Sequence, residues 1–263
     1  MVNATREQHI LVVQDIVMAF GGLMALINLN FQVTKGIIKA IIGPNGAGKT
    51  TLFNVITGSF PPTEGTVQFG GQPIQGLKAH EISRLGISRT FQTVELFTNM
   101  TVLENVMVGR HNQTKTAFIA SGFRLPHVRR KEEQIRSKAL EILEFIGLAE
   151  KADESSDALP LGERKILEIG RALATEPEMV CLDEPAAGLN ETETQVAADL
   201  IKRIKDRGVT VLLVEHDMQV VMKISDEIIA LNYGEKIAEG TPEEIQNNTK
   251  VIEAYLGGEE DYA

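Results

Sequence analysis

The residues with the clearest chemical content form one short run: Gly43, Pro44, Asn45, Gly46, Ala47, Gly48, Lys49 and Thr50, followed by Thr51. A glycine, four residues and then Gly-Lys-Thr is a spacing suited to phosphate. Glycines let successive backbone N–H groups curl around phosphate oxygens, and the helix that follows directs its positive end at them. In that setting Lys49 bridges the β- and γ-phosphates of a nucleotide and the Thr50 hydroxyl ligates Mg²⁺. The run sits where this chemistry needs it, after an apolar strand predicted at 37–42 and before a helical run from Thr51 onward.

Such a loop serves kinases, GTPases and transport ATPases alike. A second element narrows the choice: residues 179–182 read Met-Val-Cys-Leu, an apolar strand that ends in Asp183 and Glu184. An aspartate at the C-terminal end of a buried strand is placed to bind a Mg²⁺-bound water, and Glu184 beside it can polarise an attacking water. Cys181, inside this strand, reads as a small inert hydrophobe.

Positioning these groups takes a particular scaffold. Residues 10–91 are strand-rich with one embedded helix, with strands predicted at 10–18, 26–33, 37–42, 66–69 and 86–91. Residues 101–176 change character. A helix predicted at 128–148 places Ile135, Ala139, Ile142, Leu143 and Ile146 on one face, and 164–174 repeats such a face with Ile166, Ile169 and Leu173. Short buried strands return at 179–182 and 209–214, with a helix at 193–205 between them. Strand, helix, strand implies a parallel sheet with right-handed crossovers, so the central helical block reads as an insertion into an α/β core.

Composition removes several classes. The chain has 263 residues, and 26 Lys and Arg face 36 Asp and Glu, a formal net charge of −10. That balance argues against general nucleic-acid binding, which needs excess cations to displace counterions. A single cysteine excludes an intramolecular disulfide framework and fits a reducing compartment. The five histidines, His9, His80, His111, His127 and His216, include no pair at metal-ligand spacing. No basic stretch followed by an apolar run marks the first residues as a secretory signal. The uncharged segment 16–34 approaches a membrane span in length, but Asn28, Asn30 and Gln32 alternate with Leu29, Phe31 and Val33, which reads as two strands around a Gly-Gly turn. From Arg110 to Lys138 the charge inverts: Arg110, Lys115, Arg124, Arg129, Arg130, Lys131, Arg136 and Lys138 face only Glu132 and Glu133, a net +6. This is either a solvated face or a surface for anionic lipid or an acidic partner.

Taken together, the phosphate loop and the acids at 183–184 resemble the ATP-binding cassette family, and the resemblance spans residues 10–256. It implies an α/β fold with a P-loop NTPase (RecA-like) core, an N-terminal antiparallel β subdomain and an inserted α-helical subdomain. The implied division is 1–93 for the first part of the core, 94–176 for the helical subdomain, 177–240 for the second part and 241–263 for C-terminal helices and an acidic tail. The resemblance places Phe20 against adenine and makes Gln92, in Arg-Thr-Phe-Gln, a contact to Mg²⁺ and the water. It makes His216 the switch histidine that holds the γ-phosphate. The family signature aligns with Leu159, Pro160, Leu161, Gly162 and Glu163, but Pro160 replaces a serine and Leu161 a glycine, so only Gly162 and the helix N-terminus keep phosphate-binding capacity. The dimer-contact loop reads Ala187, Gly188, Leu189 and Asn190, with Asn190 where aspartate is common.

The family also implies ATP and Mg²⁺ as ligands and a head-to-tail pair of cassettes, and the altered signature favours a heterodimer. Further implied partners are two transmembrane permease subunits and, indirectly, a periplasmic substrate-binding protein. The location would be the cytoplasmic face of the membrane. Within the family, the stretches at 18–23, 88–92, 101–106, 182–190 and 251–257 are similar to ATP-binding subunits of high-affinity branched-chain amino acid importers. Importers of urea or short amides look similar, and a nucleotide-gated module with weak hydrolysis is the alternative from another functional class.

Overall fold

The computed structural model describes residues 9–90, 95–111 and 126–256. Two sheets and a helical layer organise them. The first sheet is antiparallel, in the order β2-β1-β4-β5, from β1 (His9–Phe20), β2 (Leu23–Thr34), β4 (Glu64–Phe69) and β5 (Gln72–Pro73). β1 and β2 meet at Gly21 and Gly22, where Gly21 takes φ +59. In β2, Leu29, Phe31 and Val33 are buried while Asn28, Asn30 and Gln32 are exposed, so the uncharged segment is a strand pair with one wet face.

The second sheet has the order β10-β9-β3-β8-β7-β6. It contains β3 (Ile38–Ile42), β6 (Ile87–Arg89), β7 (Met179–Asp183), β8 (Thr210–Val214), β9 (Glu227–Asn232) and β10 (Glu235–Gly240). All pairs are parallel except β9 with β10. β3, β7 and β8 are buried at every residue, as strands covered on both faces must be.

Each face of this sheet feeds a separate apolar cluster. Ile41, Cys181 and Leu212 pack with α1 (Lys49–Ile56) and the antiparallel sheet. Ile38, Ala40, Ile42, Val180 and Leu182 pack with α5 (Leu161–Leu173), α6 (Glu191–Asp206) and α7 (Met218–Ile224). The helical insertion lies between β6 and β7 in sequence and consists of α3 (Val102–His111), α4 (Pro126–Ile146) and α5. Small residues let these helices approach: a Cβ on Gly109 would lie 2.3 Å from the Arg171 carbonyl, and one on Gly170 would lie 2.5 Å from Ile146 Cδ1.

Several sequence expectations are corrected. The first part of the core holds a second helix, α2 (Ala79–Leu85), ending on Gly86 at φ +109. β6 is confined to Ile87–Arg89 rather than 86–91. β9 and β10 add a hairpin, so the larger sheet is mixed rather than wholly parallel. The chain closes with α8 (Pro242–Gln246) and α9 (Thr249–Leu256). No helix among the described residues is long and apolar enough to cross a membrane.

Candidate active site

The phosphate loop joins β3 to α1, and its shape follows from three glycines at φ +151 (Gly43), +82 (Gly46) and +100 (Gly48). Gly43 and Gly48 are required by packing. A Cβ on Gly43 would sit 2.2 Å from the Leu231 carbonyl oxygen, and one on Gly48 would sit 2.7 Å from that of Ala25. Gly46 differs, because nothing lies within 4 Å of its Cβ position. Its open side belongs to a cleft of about 920 Å³ lined by residues 45–51, Glu184 and His216. α1 begins on Gly48 with no side-chain cap, which leaves its first N–H groups for an anionic ligand. Lys49 Nζ donates to the carbonyls of Gly43 (2.7 Å) and Pro44 (3.0 Å). Burial lowers its pKa, against the opposing pull of Glu184 and Asp183.

The far end of the cleft is apolar. Phe20 closes β1 with 46% of its surface exposed and meets Phe60 edge to face at 5.4 Å. Leu23, Met24 and Tyr233 continue this wall. It suits the face of a purine ring. Tyr233 comes from the β9–β10 turn, whose Gly234 donates to the Ala47 carbonyl (3.1 Å) and accepts from the Ile27 amide (2.8 Å).

Asp183 ends β7 with its side chain fully buried. Its Oδ2 accepts from Arg89 Nη2 at 2.9 Å, and its amide donates to Thr90 Oγ1 at 3.2 Å. Its Oδ1, buried too, has no hydrogen-bond partner among the described residues. Burial raises this carboxyl's pKa, and the Arg89 bond works against it. A buried oxygen left unpartnered fits a hydrated cation, which supplies the missing donors. No cluster of three or more His, Cys, Asp or Glu able to hold a metal occurs among the described residues, so such a cation would draw further ligands from a bound nucleotide.

Glu184 follows at φ +50, a conformation that costs a non-glycine residue about 1–3 kcal/mol and must be held in place. Among the contacts that hold it, its amide donates to the Val214 carbonyl (2.9 Å), Lys165 Nζ (2.7 Å) and the Ala187 amide (3.2 Å) donate to its carbonyl, and its Oε1 lies 2.6 Å from His216 Nε2. With the carboxylate ionised, Nε2 carries the hydrogen of that pair. Glu215, itself buried, ties the two segments together. It accepts from the Ala186 amide at 2.8 Å through Oε1 and from the His216 amide at 2.8 Å through Oε2.

The structure thus brings Phe20, residues 45–51, Glu184 and His216 to one cleft, with Gly43 and Pro44 at the start of the loop and Asp183 beside it. Gln92 lies outside the described residues. Leu159 to Glu163 lie elsewhere. Pro160 precedes the first turn of α5, which has no side-chain cap, and Leu161 is 46% exposed. Glu163 pairs with Lys151 at 2.6 Å. A Cβ on Gly162 would meet Glu193 Oε1 at 2.8 Å, and one on Gly188 would meet Leu161 Cδ2 at 3.5 Å, so the signature abuts the loop of Ala187, Gly188 and Leu189. Asn190 caps α6, accepting from the Glu193 amide at 3.0 Å. In the basic stretch, Lys115 and Arg124 fall outside the described residues, Arg110 pairs with Glu176 and Lys138 with Glu141. Sequence reasoning overlooked Arg89, Thr90, Lys165 and Glu215. The signal for Lys165 was a cation on the buried face of an otherwise apolar helical stripe.

The ABC transporter family matches residues 26–187, and the branched-chain amino acid ATP-binding cassette transporter family matches residues 235–261. The chain is 47% identical over 252 residues to the high-affinity branched-chain amino acid transport ATP-binding protein BraF of Pseudomonas aeruginosa, covering 95% of this chain and 99% of that protein. Among solved structures, it is similar to the ADP conformation of an ATP-binding cassette of an ABC transporter, at 37% identity and TM-score 0.83, covering 95% of this chain and 99% of the other. It is also similar to a dimeric ATP-binding cassette in a post-hydrolysis state bound to ADP and Pi, at 28% identity and TM-score 0.74, covering 88% and 98%.

Proposed function

The chain belongs to the ATP-binding cassette transporter family, and from that premise we propose that it is the ATP-hydrolysing subunit of an importer of branched-chain amino acids. The observation that carries the reading is the 2.6 Å pairing of Glu184 with His216 in the cleft of the phosphate loop. Phe20 packs against the adenine ring, and the loop amides with Lys49 hold the phosphates. Thr50 and Asp183, with Gln92, hold Mg²⁺, which supplies positive charge to the phosphate oxygens when bound. Glu184 orients the attacking water and takes its proton, and His216, fixed by Glu184 and Glu215, holds the γ-phosphate.

The signature does not line this cleft, so the second wall of each ATP site comes from another cassette in a head-to-tail pair. Pro160 brings neither hydroxyl nor N–H to that role, and Leu161 adds bulk. A heterodimer follows, in which the partner's signature completes the site built on residues 43–50. With no helix among the described residues able to span a membrane, two separate permease subunits form the path, and this subunit docks on the cytoplasmic face. A periplasmic binding protein delivers the amino acid. Two measurements test the reading. ATPase rates of the isolated chain and of the chain mixed with its partner cassette should differ strongly, and robust turnover by the isolated chain overturns the heterodimer. Leucine uptake by the assembled transporter should stop in Glu184→Gln, whereas loss of urea uptake alone would replace the substrate.

A further inference from the structure

Arg89 carries contacts that the chemistry above leaves without a role. It closes β6, which lies beside β7 in parallel register with Arg89 opposite Cys181. Its guanidinium reaches two neighbouring elements, β7 and α1. Nη2 donates to Asp183 Oδ2 at 2.9 Å, while Nη1 donates to Asn54 Oδ1 at 2.5 Å and to Thr57 Oγ1 at 3.1 Å, at the end of α1. The same group stands over the Phe53 ring, 5.7 Å from its centre. Both sides of the ion pair are buried, with side-chain exposures of 9% for Arg89 and 0% for Asp183. The Arg89–Asp183 bond takes one carboxylate oxygen and leaves the other, Oδ1, with no partner among the described residues.

A carboxylate can turn about its own axis and offer either oxygen. A planar fork bonded to one oxygen and anchored through its other nitrogen removes that freedom. A lysine in the same place has a single nitrogen and cannot serve Asp183 and α1 with fixed directions. We infer that Arg89 is a positioning residue for the metal end of the site. By occupying Oδ2 from an anchor on Asn54 and Thr57, it reserves Oδ1 for the hydrated Mg²⁺ that accompanies ATP. The anchor also sets the distance between β7 and α1, whose first turn carries Lys49 and Thr50. The inference rests on the reading of Asp183 as a Mg²⁺ ligand.

The test uses the full chain with Arg89→Met, Arg89→Lys and Asp183→Asn. Mn²⁺ serves as the probe, its binding to the complex with a non-hydrolysable ATP analogue read by electron paramagnetic resonance. Affinity for the same analogue in the presence of a chelator is measured alongside. Arg89→Met is expected to weaken Mn²⁺ binding by about 10–100-fold, the usual effect of losing an outer-shell partner, while metal-free nucleotide affinity stays within about twofold. Arg89→Lys is expected to restore only part of the loss, and it decides the matter if the Met variant does not fold. Unchanged Mn²⁺ binding in both Arg89 variants, with Asp183→Asn impaired, overturns the role of Arg89 alone. Unchanged binding in Asp183→Asn overturns the metal reading and the inference with it.

Discussion

His216 Nε2 lies 2.6 Å from Glu184 Oε1, although the two residues are 32 positions apart and stand at the ends of different strands. Neighbouring strands explain the meeting: β7 and β8 are paired in parallel with Asp183 opposite Val214, so the residues just beyond each strand emerge side by side. The pair places the Glu184 carboxylate in the cleft of the phosphate loop. Glu184→Gln is therefore expected to lower ATP turnover by about 10²–10⁴-fold, the span of general base catalysis. Nucleotide affinity should stay near that of the natural chain, because the Lys165 and Val214 contacts hold the backbone of residue 184 rather than its carboxylate. Steady-state hydrolysis and equilibrium binding of labelled ATP separate the two quantities.

Two glycines of the phosphate loop should fail in different ways. Gly43→Ala drives a Cβ to 2.2 Å from the Leu231 carbonyl, a backbone clash with no relief by rotation. A stability loss of about 2–4 kcal/mol is expected, read by denaturant unfolding. Gly46→Ala meets no atom within 4 Å, so unfolding should shift less, by about 1–2 kcal/mol of left-handed strain. Its methyl group instead enters the space open to phosphate. ATP affinity is expected to fall by roughly 10–100-fold, the worth of one or two charged hydrogen bonds.

Acid sensitivity should report on Glu239. Burial works against its ionisation, yet bonds from Lys236 (2.6 Å) and Lys39 (2.5 Å) outweigh it and hold its carboxyl below the usual 4.5. A depressed carboxylate contributes stability above its unfolded value and loses it as pH falls through the folded one. At pH 7, Glu239→Gln is expected to melt about 2–4 °C lower, corresponding to about 1 kcal/mol for an ion pair that is partly solvated. The gap should close below pH 4.5. A gap that does not narrow at all on acidification contradicts the assignment of the effect to charge.

Cys181 should be inert. It is fully buried in β7, and burial is the main force that pushes its thiol up to about 12. An aromatic disulfide reagent at pH 8 is expected to find no reactive thiol in the native chain and one after unfolding in guanidinium, since the sequence holds a single cysteine.

Much of the site was legible in the sequence because its chemistry is local. The phosphate loop is a contiguous run, and Asp183 and Glu184 stand next to each other at a strand end. The antiparallel pair of β1 and β2 was legible from the alternation of Leu29, Phe31 and Val33 with Asn28, Asn30 and Gln32. Other elements left too weak a pattern. In α2 only Ile82 is buried, so seven residues show no helical stripe. β10 is an edge strand of the sequence Glu-Lys-Ile-Ala-Glu-Gly with no fully buried residue, and its charges hide its pairing. The contacts of Arg89, Lys165 and Glu215 were invisible for another reason. Their partners Asp183, Glu184 and Ala186 lie 94, 19 and 29 residues away, and only the folded chain brings them into reach.

The position of β3 in its sheet has a consequence for synthesis. Its two neighbours are β8 and β9, and the Gly234 turn braces both Ala47 and Ile27 from behind. A chain leaving the ribosome presents residues 43–50 well before the strands that flank them and the turn that props them. A nascent chain that stops short of Glu227 already carries Lys49, Asp183, Glu184 and His216, and still lacks the surface against which the loop takes its shape. The loop that binds phosphate therefore takes its support from strands far downstream of it in the chain.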